Sequence, residues 1–232
     1  MHDVGIYENL ILGIHFLLLK KCKIFDEKTI VRCYTGRSMR INVRKHERRG
    51  YQSIKMSNIL EKQFLKQRND FEKSCVERDK KYHFPQGVIF ETDIAYAKDK
   101  NKAHRLDRYR PKGKEAQILP VIINVHGGGL LLGNKEFNKY FCALLSKKGF
   151  LVYSMEYRLI PDCTFFDQLR DIFLAMDFVK EHAAADGGDL SHVYLVGDSG
   201  GACLATYANA IQNSKKIAKA AGVKPSELKV HA

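Results

Sequence analysis

Val193-Tyr-Leu-Val-Gly-Asp-Ser-Gly-Gly-Ala202 is the stretch whose reading decides the fold. Residues 193–196 are apolar and short enough for a buried strand, and residues 199–212 read as a helix. Between them lies a G-x-S-x-G string, Gly197 to Gly201. Such strings also arise by chance, so the context carries the weight. A strand running in and a helix running out put Ser199 at the peak of a tight turn, strained and open to a substrate. Side chains at 197 and 201 would collide with the strand and the helix. The helix N-terminus behind Ser199 turns N–H groups toward any negative charge that develops beside it.

Working outward, residues 118–125 form an apolar run that suits a strand buried on both faces. His126-Gly-Gly-Gly129 follows at once. Three glycines let backbone N–H groups converge on one oxygen with no side chain in the way; the plain alternative is a flexible loop after a strand. Residues 137–148 read as a helix closed by Gly149, 150–157 as a strand and 165–184 as a long amphipathic helix. Residues 87–96 and 104–110 read as two earlier strands, with a Lys-rich turn at 112–115. The alternation predicts an α/β fold with a mostly parallel sheet and helices on both faces.

These residues carry a resemblance. VIINVHGGGLLLGN, Glu156-Tyr-Arg-Leu-Ile-Pro161, Asp186-Gly-Gly-Asp189 and GDSGGACLA, in unbroken order over residues 104–212, resemble the hormone-sensitive-lipase-like esterases and lipases of the α/β-hydrolase fold. The resemblance implies a carboxylic-ester hydrolase with Ser199 as nucleophile. It implies that Gly128, Gly129 and Gly200 donate the oxyanion-hole N–H groups, and that His126 is a structural loop residue. Gly127, Gly197, Asp198 and Gly201 would support the two motifs. It also implies that residues 1–80 form a helical cap over the acyl pocket, with residues 81–232 as a partial hydrolase core.

Three departures stand out. Gly200 occupies the place of the family's usual Ala, and residues 161–166 lack the family's second Pro, so the next helix is expected to start differently. In this fold the triad acid and base follow the serine. Beyond Ser199 there is no Asp, one acidic residue, Glu227, and one histidine, His231. The chain is therefore expected to be C-terminally truncated, with residues 228–232 opening a strand whose successors are missing. An unfinished sheet edge, self-association through it, a helix 199–212 short of neighbours and impaired activity all follow as expectations. The alternative functions are a non-catalytic ligand-binding relative and an inactive truncated product. GDSGG also marks chymotrypsin-like proteases, but those are all-β and place His and Asp before the Ser, which excludes them here.

The remaining composition is that of a soluble globular chain of 232 residues, 45% hydrophobic and 28% charged. The net charge of +13 falls almost entirely in the first half, densest at residues 37–49. The basic residues are scattered without a nucleic-acid motif, so they read as a solvated helical surface, and no nucleic-acid partner is expected. Met56, Leu60, Phe64, Phe71 and Cys75 fall on one face of an amphipathic helix. The apolar run 9–19 is too short to span a bilayer and lacks the flanks of a signal peptide; it reads as an interfacial or buried helix. Six cysteines, at 22, 33, 75, 142, 163 and 203, form no CxxC pair and no cluster with histidine. No metal, cofactor or disulfide is expected, and a reducing, cytoplasmic setting is. Cys142, Cys163 and Cys203 have apolar neighbours and read as core residues. The expected substrate is a small-molecule ester.

Overall fold

The computed structural model describes residues 58–231. The apolar run at 9–19, the basic stretch at 37–49, Met56, Cys22 and Cys33 lie outside the described residues. Helix α1 spans Asn58–Asp79, where the apolar spacing predicts it, with Phe64, Phe71 and Cys75 half-buried. Strands β1 (Val88–Ala95) and β2 (Arg105–Pro111) pair antiparallel, β1 carrying an irregularity between Glu91 and Ile94. Strand β3 (Leu119–Val125) is buried on both faces, as its apolar run requires. A 3-10 turn, Lys135–Asn138, precedes α2 (Lys139–Lys147). The single helix expected over 137–148 is divided because the Asn134 side chain accepts from Phe137 N at 3.1 Å and starts a tighter turn first.

Strand β4 (Leu151–Met155) is fully buried and ends two residues before the expected limit. Glu156 and Tyr157 leave the ladder to serve the neighbouring loop, described below. Helix α3 (Phe165–His182) starts from a capping box between Thr164 and Asp167. Strand β5 (Gly188–Gly197) is longer than residues 193–196, because Gly188 and Asp189 pair with Leu119 and Pro120 across a register shift. Helix α4 (Ser199–Asn213) follows, then a short α5 (Lys215–Ala221) that the apolar pattern did not announce.

The sheet order is β1-β2-β4-β3-β5. It is mixed: β3 runs parallel to β4 and β5, whereas β2 runs antiparallel to both β1 and β4. The parallel part is confined to β3, β4 and β5. No helix lies between β1 and β2, and a parallel pairing would need a crossover there. Helix α2 covers one face over β1, β2 and β4, packing Cys142 and Ala143 on Tyr109, Ile122 and Val152. Helices α3 and α4 pack against each other and reach β4, and β3 and β5, respectively. Beyond α2, the same face of β3 and β5 is an open apolar groove lined by Pro120, Ile122, Phe150, Tyr194 and Val196. Among the described residues the uncovered surface is thus on the α2 side, and α4 keeps its packing against β5, β3, α3 and α5.

The four described cysteines are free thiols. Cys142 is buried as expected, whereas Cys163 and Cys203 are only half-buried, at a loop and on a helix flank. Burial pushes the Cys142 and Cys163 thiols up to about 12, which keeps both protonated and unreactive at neutral pH.

Candidate active site

Val125 and Gly197 are partners in the parallel pairing of β3 and β5. The loops after the two strands therefore leave the sheet side by side at its carboxyl edge. Their approach is too close for side chains. A Cβ on Gly201 would lie 2.1 Å from Val125 O, and one on Gly127 would lie 2.2 Å from an Asp198 carboxylate oxygen. Asp198 ties the loops together: its Oδ1 accepts from Gly127 N at 2.9 Å and from Asn138 Nδ2 at 2.8 Å.

Ser199 follows at φ 47°, in the left-handed region that a residue other than glycine occupies only under constraint. Gly200, next in the chain, faces the glycine loop: a Cβ there would sit 3.0 Å from both Gly129 N and Leu130 N. Neither of those amides donates a hydrogen bond among the described residues. Gly200 N belongs to the first turn of α4 and donates no hydrogen bond among the described residues. Two loops thus bring unspent donors together beside Ser199. Gly128 supports this turn through its carbonyl, which accepts from Leu131 N at 3.2 Å and Leu132 N at 2.9 Å.

His126 is fully buried. Its Nδ1 lies 2.8 Å from Gly127 O and its Nε2 2.9 Å from Glu156 Oε1. The ring stacks on Tyr157 with centroids 4.3 Å apart, and Tyr157 donates its hydroxyl to His126 O at 2.7 Å. Burial holds that phenol far above its ordinary value, so it stays a donor. Glu156 Oε2 also accepts from Lys135 N at 2.9 Å, which fixes the far end of the loop.

Among the described residues no imidazole or carboxylate is hydrogen-bonded to Ser199 Oγ. His192 and His231 stand midway along β5, where His192 Nδ1 lies 2.7 Å from Asp189 Oδ2 and His231 Nε2 lies 3.0 Å from Ser191 O. At about 3.3 Å per strand residue, His192 is roughly 20 Å from Ser199. His182 bonds Phe178 O on α3, and His104 is buried between Asp99 and Asp171. No group of described His, Cys, Asp or Glu side chains could hold a metal ion. No helix among the described residues is long and apolar enough to cross a membrane.

Several residues at this edge carried no legible signal. Leu130, at φ 71°, contributes an amide beside Gly200. Gln168 on α3 donates Nε2 to Leu130 O and to Arg158 O, each at 2.9 Å. Arg158, inside the Tyr-Arg-Leu-Ile-Pro segment, is paired with buried Asp171 at 2.6 Å. Arg68 reaches in from α1. Leu130 and Arg158 lay inside quoted motifs without showing these roles; Gln168 and Arg68 are ordinary helix residues whose partners are remote in sequence.

The five-stranded sheet, its flanking helices and the strand–turn–helix at Ser199 define an α/β-hydrolase fold. Esterase B from Lactobacillus rhamnosis, solved with a tributyrin phosphonate, aligns with a TM-score of 0.71 and 28% identity, over 75% of this chain and 57% of that chain. A bacterial heroin esterase aligns with a TM-score of 0.55 and 28% identity, over 68% of this chain and 48% of that one. Isoprenylcysteine alpha-carbonyl methylesterase of Arabidopsis thaliana is 32% identical over 114 residues, 49% of this chain and 26% of that protein. The chain belongs to the BD-FAE family, whose model matches residues 106–232. It spans about a quarter of the length of the curated relatives it matches.

Proposed function

We propose that this chain carries the nucleophile and oxyanion hole of a carboxylic-ester hydrolase acting on small-molecule esters. Ser199 Oγ would attack the ester carbonyl. The charge gathering on the carbonyl oxygen would be met by N–H groups of Gly128, Gly129 and Gly200, joined by that of Leu130, with the Gly128 carbonyl shaping the turn that presents them. The observation that carries this reading is that Gly200 faces two unspent amides so closely that a Cβ on it would lie 3.0 Å from each, next to a serine at φ 47°. His126 would hold the loop and take no proton from Ser199, because both its ring nitrogens already have partners.

Attack also needs an acceptor for the Ser199 proton, and no such group meets Oγ among the described residues. Turnover by the chain is therefore expected to be low, on the order of 10^6-fold below an esterase with a complete triad. Two measurements test the reading on the full chain: hydrolysis of p-nitrophenyl acetate, and covalent labelling by a fluorophosphonate located by mass spectrometry. Slow labelling at Ser199 and residual hydrolysis lost in Ser199→Ala are expected. Hydrolysis that survives Ser199→Ala, or labelling at another serine, would sink the proposal. The same missing contact favours a second reading, a ligand-binding relative without turnover. That reading predicts reversible ester binding, seen by calorimetry, with no Ser199 adduct.

A further inference from the structure

Arg68 makes three bonds to two separate loops from a side chain that is only 17% exposed. Its Nε donates to Leu131 O at 3.0 Å, its Nη2 to Ile160 O at 2.9 Å, and its Nη1 pairs with Asp162 Oδ2 at 2.8 Å. Leu131 lies directly after the Gly129 and Leu130 amides, and residues 160–162 form the turn that leaves β4. The planar guanidinium offers donors in a fixed fork, which a flexible point charge such as lysine could not aim at three acceptors together.

The joint has a second side. Leu130 O accepts from Gln168 Nε2 at 2.9 Å and from Ile160 N at 3.0 Å. Leu130 itself sits at φ 71°, a conformation that persists only where the surroundings over-determine it. The surroundings that do so are Gln168 from α3, Ile160 from the turn, and Arg68 from α1. Among the described residues the other holds of helix α1 lie in its C-terminal half, where Arg78 sits 5.0 Å over the Phe137 ring. Phe71 meets Phe137 at 5.2 Å, and Tyr140 and Lys139 bond residues 79–82 near its C-terminus.

We propose that Arg68 is a positioning residue that clamps the oxyanion loop to α1, so that displacement of α1 releases the 128–132 turn. This rests on the assignment of Gly129, Leu130 and Gly200 as oxyanion donors. Hydrogen exchange and fluorophosphonate labelling of the full chain separate the two ideas. In Arg68→Ala the peptide covering residues 128–133 should exchange about tenfold faster, the scale set by losing hydrogen bonds from a charged donor. Peptides from β3 and β5 should keep wild-type rates. Asp162→Asn, which spares both carbonyl bonds, should leave residues 128–133 protected. Labelling of Ser199 should slow about tenfold in Arg68→Ala, as expected when donors to a developing oxyanion lose their alignment.

Unchanged exchange at 128–133 in Arg68→Ala would overturn the clamp, and so would an equal rise across β3, β4 and β5, which signals general destabilisation. Equal exposure in Asp162→Asn would assign the effect to the ion pair and overturn it as well. Faster exchange with unaltered Ser199 labelling would remove the positioning role. If the wild-type chain does not label at all, the esterase reading fails while the exchange result still decides the clamp.

Discussion

Gly201 leaves no room for any other residue. A methyl group there would meet Val125 O at 2.1 Å and His126 O at 2.6 Å, both backbone atoms of β3 and its loop. Relief would require β3 and β5 to part where Val125 pairs with Gly197. Gly201→Ala is therefore expected to cost about 2–3 kcal/mol, in the range of overpacked cores, and to lower Tm by roughly 5–10 °C in a thermal melt. Gly200→Ala should cost clearly less, since its methyl would meet two amides at 3.0 Å and adjust by a few tenths of an ångström. Equal losses in the two variants would contradict the close-approach argument. The glycines at 197, 201 and 127–129 were legible as motifs. That Asp198 joins the two loops through Gly127 N was not, because residues 71 positions apart leave no local pattern.

Helix α3 shows how an element can start without the second proline of its resemblance family. Thr164 Oγ1 accepts from Asp167 N at 3.2 Å, and the Asp167 carboxylate accepts from Thr164 N at 2.9 Å. Burial alone would raise the Asp167 carboxyl, but hydrogen bonds from Thr164 and Arg170 outweigh it and hold the group below its ordinary value of 3.8. A carboxyl depressed in the folded state stabilises above its unfolded value and loses that contribution as pH falls through the folded one. The cap should thus be complete above about pH 4 and fade below it. Thr164→Ala is expected to cost about 1 kcal/mol at pH 7, with a smaller deficit at pH 3, measured by urea unfolding at both values. A deficit independent of pH would mean that Asp167 does not serve the cap. Apolar periodicity was enough to find α3. The division of the 3-10 turn from α2 and the length of β5 depend on Asn134 and on pairing with β3, which periodicity does not encode.

At the scale of the whole molecule, β5 is the outermost strand of the sheet among the described residues. Its outer edge is met among the described residues only at Tyr194, by His231, whose N donates to Val193 O at 2.7 Å. The rest of the edge offers backbone donors and acceptors, and beside it lies the apolar groove of Pro120, Ile122, Phe150, Tyr194 and Val196. Such an edge is a template for another copy of the same strand. Size-exclusion chromatography over a concentration series should show reversible self-association, weakened in Tyr194→Lys, which places a charge in the groove. A monomer at every concentration, with a cooperative melt, would contradict this.

The class of the fold and the position of the candidate nucleophile were determined by the sequence alone. Apolar runs at 118–125 and 193–196, each followed at once by a glycine motif, encode strand, turn and helix through local sterics. The antiparallel run of β2, the open face on the α2 side, the burial of His126 against Glu156 and the reach of Arg68 were decided only by tertiary structure. Each of these depends on groups far apart in the chain meeting at one distance and angle. A strand records its own alternation of faces, but not the direction of its neighbour. A single arginine on a helix does not record which carbonyls will lie across from it.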